Sequence, residues 1–200
     1  MYKYHAFLSY KRHRRADEWH LKLMEVIQFW LSQELGIPDA PIFFDTRSIE
    51  NGRVFDQAIS DALKHSMVLI SVMSPLYFSS DHCLAEINAF LRREDHLNRN
   101  RGELISCARF FDGATYPKPF VSMQSEDFAP FANPTKAFWD SADGTKFEDI
   151  IRRFAHSIAE KIRAAPPWDP GFPDPPFVPN GGDPPPRIMR PASYLGGEKL

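Results

Sequence analysis

Apolar side chains along the first 165 residues follow two alternating periods. Tyr4–Tyr10 (YHAFLSY) reads as a short strand. Beyond it Trp19, Leu23, Val26, Ile27, Trp30 and Leu31 recur at helical spacing, and Gly36 followed by Pro38 supplies the stop. Residues 41–45 (PIFFD) form a second short apolar run. Phe55, Ile59 and Leu63 fall at i, i+4 and i+8 with Ala58 and Ala62 beside them, which predicts a second amphipathic helix. Residues 67–73 (MVLISVM) are continuously apolar, the pattern of a central strand buried on both faces. Leu84, Ile87 and Leu91 mark a third helix, and residues 104–111 (LISCARFF) a fourth strand. Residues 137–139 are expected as a short fifth strand ahead of a long helix carrying Phe147, Ile150, Ile151, Phe154, Ile158 and Ile162.

Strand and helix in alternation imply parallel strands, right-handed crossovers and helices on both faces. The expected fold is α/β, a flavodoxin-like five-stranded parallel sheet. Ligands bind such sheets outside the carboxyl ends of the strands.

Proline changes the picture at the C-terminus, because 11 of the 18 prolines lie between Pro166 and Pro191. Each removes an amide donor and clashes with a preceding helical turn, so this stretch runs extended. The expected division is a domain over 1–165 and a Pro/Gly-rich tail or linker over 166–200. Trp168, Phe172, Phe177 and Met189 are costly to leave in water, which favours a docked tail over a free one. Charge narrows the partners: 24 basic against 26 acidic residues leave a net −2, unlike the basic balance of a nucleic-acid binder. No apolar run is long enough to span a bilayer, no secretory leader is legible, and two cysteines make no disulfide framework. A cytoplasmic setting is expected, with no membrane and no direct nucleic-acid contact.

The strand ends carry the candidate chemistry. Ser9, Tyr10, Lys11 and Arg12 close the first strand, Asp45 and a polar loop with Gly52 follow the second, and SPLYFSSDHCLAE follows the third. Polar residues at such positions are also ordinary loop chemistry. Neither G-x-G-x-x-G nor G-x-x-x-x-G-K-[ST] occurs, which excludes the usual dinucleotide and P-loop fingerprints. A phosphorelay receiver needs an acidic pair after its first strand, where this chain is basic. His82, Cys83, His96 and Cys107 fit no zinc spacing, and no G-x-S-x-G elbow is present. On the residues alone, Glu86 reads as a surface glutamate of an amphipathic helix or a first-turn partner of the helix dipole.

Three segments in order resemble the Toll/interleukin-1 receptor (TIR) domain family in its bacterial form. FLSYKR is similar to the family's first box. IFFDTRSIENGRVFDQAISDALKHS resembles its second strand, BB loop and second helix, with one extra residue between Gly52 and Phe55. VLISVMSPLYFSSDHCLAE resembles the third strand and the segment ending in the family's glutamate, and Phe138-Trp139 sits where its third box has an aromatic pair. The likeness spans about residues 3–163.

This resemblance implies one of two functions. Many members cleave NAD⁺ at the nicotinamide–ribose bond, in bacteria commonly for antiphage defence, releasing ADP-ribose or a cyclised isomer. Others are non-enzymatic adaptors that recruit partners through the BB loop. It implies Glu86 as the catalytic carboxylate, with Tyr10, Lys11, Arg12, Asp45, Glu50, Gly52 and His82 around the substrate. NAD⁺ is then the substrate, with no cofactor and no metal. Self-association through TIR–TIR contacts is implied, and the tail suits a tether to a sensor or effector. His82 stands where the family usually has tryptophan; histidine still stacks and can donate a hydrogen bond.

Overall fold

The structure, a computed structural model, describes residues 1–44 and 52–174. Its strands are β1 (Tyr4–Tyr10), β2 (Ile42–Phe44), β3 (Ser66–Met73), β4 (Ile105–Arg109) and β5 (Ser125–Asp127). All pair in parallel, in the order β2-β1-β3-β4-β5, the flavodoxin-like order expected for the alternating pattern. The helices are α1 (Asp17–Leu35), α2 (Gly52–Lys64), α3 (Pro75–Phe78), α4 (Asp81–His96), α5 (Lys118–Val121), α6 (Lys136–Trp139) and α7 (Ala142–Arg163). The first stops where the sequence placed its stop. Gly36 takes the left-handed conformation (φ 65°), and the Ile37 amide returns to the Ser32 carbonyl at 3.2 Å.

Period-two alternation divides the sheet between two cores. Ala6, Leu8, Val68, Ile70 and Val72 face one way and pack with Trp19, Leu23 and Ile27 of α1 and Phe147, Ile151 and Phe154 of α7. Phe7, Leu69 and Met73 face the other way and pack with Ile59 and Leu63 of α2 and Ile87 and Phe90 of α4.

One expectation is corrected. The fifth strand is Ser125–Asp127, in register with Cys107–Arg109, whereas residues 137–139 fall within the short helix α6. The buried Phe138 and the partly buried Trp139 pack as one helical turn against Phe147, at ring separations of 6.0 and 5.6 Å, rather than in the sheet. The second helix begins at Gly52, three residues ahead of Phe55.

Residues 166–174 run across the amino-terminal ends of β1 and β3. The Tyr2 hydroxyl donates to the Pro166 carbonyl at 3.0 Å, Trp168 stacks on His65, and Lys64 pairs with Asp174 at 2.8 Å. Phe172 is 2% exposed, with the Arg93 guanidinium 4.7 Å from its ring centroid. Arg93 itself donates to the carbonyls of Ser66 and Leu63 at 2.7 and 2.8 Å, so the strap is fastened to a group that already joins α2, β3 and α4.

Candidate active site

Helix α4 carries two buried carboxylates with different surroundings. Glu94, near its C-terminus, accepts from the backbone amides of Gly102 at 3.1 Å and Leu104 at 2.7 Å. Burial raises its pKa against those amides; it braces the loop that leads into β4. Glu86 lies two turns nearer the start of the helix, 9% exposed, beside the carboxyl end of β1. Its Oε2 accepts from the Ser9 hydroxyl at 2.5 Å, and that hydroxyl lies 2.8 Å from the phenol oxygen of Tyr77.

Local sequence builds this arrangement. Ser9 follows Phe7 on the α4 side of β1, where a small polar residue leaves room for a carboxylate. Tyr77 is delivered by α3, a single turn opened by Ser74, whose hydroxyl accepts from the Tyr77 amide at 3.1 Å, with Pro75 preset in the first turn. Asp81 in the first turn of α4 complements the helix dipole. Burial pushes the Cys83 thiol up to about 12, with the charge of Glu86 adding to the effect, so Cys83 is an inert neighbour rather than a nucleophile.

The remaining expected site residues divide. His82 precedes Glu86 by four residues on α4, so both fall on one helix face, and His82 is exposed. Lys11 and Arg12 are half-buried just past β1. Lys11 shares a cleft of about 360 Å³ with His13, His20, Ser74, Leu76 and Phe111, and its charge reaches the Cys83 thiol. Tyr10 follows Leu8 onto the opposite side of the sheet from Ser9. It stacks on Phe44 at 5.1 Å and lies 4.6 Å from the His20 ring. Asp45 and Glu50 lie outside the described residues, and of Gly52 only its place at the start of α2 is described. Sequence reasoning missed Ser9 and Tyr77 as partners of Glu86. The available signal was the alternation along β1, which puts Ser9 and not Tyr10 on the face of α4.

A five-stranded parallel sheet in the flavodoxin order, with a core on each face, defines the class: an α/β domain. Residues 7–138, more than half of the chain, match the TIR domain family, and the chain belongs to that family. No curated protein matches it. Among solved structures it is similar to the TIR domains of the activated Roq1 resistosome, described as directly recognizing the pathogen effector XopQ. The identity is 19%, covering 79% of this chain and 84% of that chain, with a TM-score of 0.42. Among the described residues, no group of His, Cys, Asp and Glu side chains is disposed to hold a metal ion, and no helix is long and apolar enough to cross a membrane.

Proposed function

We propose that this TIR domain is an NAD⁺ nucleosidase of bacterial type, acting when assembled or triggered, in antiphage defence. The observation that carries the reading is the Glu86 carboxylate, almost buried at the carboxyl edge of the sheet and held on Oε2 by Ser9. The chemistry asks for little more. The bond between the ribose anomeric carbon and the pyridinium nitrogen breaks with its electron pair going to nitrogen, so nicotinamide leaves neutral and needs no general acid. Positive charge develops on the ribose as an oxocarbenium ion. A fixed carboxylate in a site poor in water stabilises that charge far more than it would in bulk solvent. Water then adds to the anomeric carbon and releases a proton, giving ADP-ribose; attack by the substrate's own adenine gives a cyclic isomer instead.

Lys11 and Arg12 are assigned to the pyrophosphate, and His82 to the wall beside the ribose, on the same helix face as Glu86. Tyr10, fixed between Phe44 and His20, anchors the loop that presents the two cations. Incubating the purified chain with NAD⁺ at high protein concentration, with and without a crowding agent, tests this. Chromatographic detection of nicotinamide that depends on Glu86 supports the enzyme. No release in any assembled state replaces it with a TIR scaffold that recruits a partner through the segment between β2 and α2.

A further inference from the structure

We propose that Ser9 and Tyr77 are positioning residues, forming a one-way hydrogen-bond relay, Tyr77 to Ser9 to Glu86, that holds the carboxylate in one rotamer. The inference rests on the proposed NAD⁺ cleavage for its purpose, though not for its geometry. Counting protons fixes the direction. Ser9 has a single hydroxyl proton, and an ionised carboxylate can only accept, so the 2.5 Å contact spends that proton on Glu86 Oε2. The 2.8 Å contact between Ser9 and Tyr77 must then run from the phenol into the serine oxygen. Each donor is polarised by the next, and both lean towards the carboxylate.

The surroundings keep the relay in this state. Ser9 is 1% exposed and Tyr77 is fully buried, so water does not compete for either hydroxyl. Burial first, and then the neighbouring Cys83 and Glu86, pushes the Tyr77 phenol well above its ordinary range, so it remains a donor throughout the working pH range. The Ser74 cap and the Tyr77–Phe78 edge contact at 5.4 Å fix the ring. Tyr77 reaches Glu86 through Ser9, and Ser71 lies beside the same phenol.

A double-mutant cycle tests the relay. Ser9→Ala, Tyr77→Phe and the double variant are compared for nicotinamide release and for urea denaturation. We expect Ser9→Ala to lower kcat about tenfold or more and Tyr77→Phe about three- to tenfold, with KM within about threefold, the pattern of an interaction felt in the transition state. In the Ser9→Ala background, Tyr77→Phe should change kcat by less than about twofold, because its route to Glu86 is already cut. Ser9→Cys, close in volume with a weaker donor, should recover part of the loss and guards against a folding defect in Ser9→Ala. Single effects on kcat that multiply overturn the relay. The urea midpoints give a second readout independent of turnover. The Tyr77→Phe shift should shrink by about half or more once Ser9 is alanine, and additive shifts overturn the relay whether or not NAD⁺ is cleaved. Coupled midpoints without any nicotinamide release keep the relay and overturn the reaction instead.

Discussion

Glu86→Gln isolates charge from shape at the residue on which the proposed chemistry depends. The amide keeps the volume and can still accept from Ser9, while the anion is lost. The expected fall in nicotinamide release is about 10²–10³-fold, or about 2.7–4 kcal/mol of transition-state stabilisation. Since packing is unchanged, urea denaturation should shift by about 1 kcal/mol or less. A variant that keeps most of the parental rate places the active site elsewhere. His20 gives a separate signature. It is 3% exposed among Tyr10, Trp19 and Phe110, and burial drags its pKa down to about 4, only partly opposed by the Ala16 carbonyl and the Asp17 charge. The folded chain therefore resists protonation that the unfolded chain accepts from about pH 6.5 downwards. Its contribution is intact above that pH and is lost as pH falls towards 4, a total of about 3 kcal/mol at one pKa unit per 1.36 kcal/mol. Denaturation midpoints measured between pH 7 and 4 should fall less steeply for His20→Phe than for the parent; equal slopes mean that His20 is not the group responsible.

Elements were legible in the sequence where burial was two-sided or strictly periodic. The apolar run 67–73 became β3 almost residue for residue, and the Gly36–Pro38 stop ended α1. The fifth strand was not legible, for a physical reason. Ser125, Glu126 and Asp127 form an edge strand of three polar residues held by the β4 ladder and the Arg109–Asp127 ion pair, with no apolar alternation to mark it. Phe138 and Trp139 looked more like a strand, yet Ser141 closes that turn and opens α7, its hydroxyl accepting from the Gly144 amide at 3.1 Å. The same loss of signal applies at the site. Glu86 is marked by its resemblance to the family's segment, whereas its partners were hidden because one is a common serine and the other sits in a helix of a single turn. Gly144 is the element-scale test. A Cβ there would collide with the Phe138 carbonyl and come within 2.7 Å of the Trp139 carbonyl, both main-chain atoms that cannot swing aside. Gly144→Ala should therefore destabilise by about 1–3 kcal/mol, against the gain that alanine brings to an open helix position. A neutral or stabilising result in urea denaturation means that α6 and α7 are not so closely joined.

Across the whole molecule, the strap and the candidate site occupy opposite ends of the sheet. Trp168, Phe172 and Asp174 grip His65, Arg93 and Lys64 near the amino-terminal ends of β1 and β3, whereas Glu86 and Ser9 meet near the carboxyl end of β1. Five residues of strand separate Tyr4 from Ser9, about 16 Å at the usual rise. Stability and activity should therefore separate on truncation. A chain ending at Ala165 loses the burial of Phe172, about 1.5–3 kcal/mol for a phenylalanine side chain. It also bares one side of the Arg93 guanidinium, which keeps its bonds to the Ser66 and Leu63 carbonyls and so does not become an unpaired buried charge. The exposed Lys64–Asp174 pair adds little. The truncated chain should fold cooperatively and melt several degrees lower, since a 1 kcal/mol change moves Tm by about 2–4 °C for a domain of this size. At a temperature where both chains are folded, nicotinamide release per molecule should agree within about twofold, because none of the groups around Glu86 rests on the strap. Phe172→Ala should reproduce most of the stability loss in the full chain, which ties the effect to that ring rather than to length. If truncation leaves Tm unchanged, Phe172 contributes no net stability. If it abolishes turnover while the circular dichroism and melting remain cooperative, the tail reaches the site or the assembly that activates it, and the two ends of the sheet are coupled.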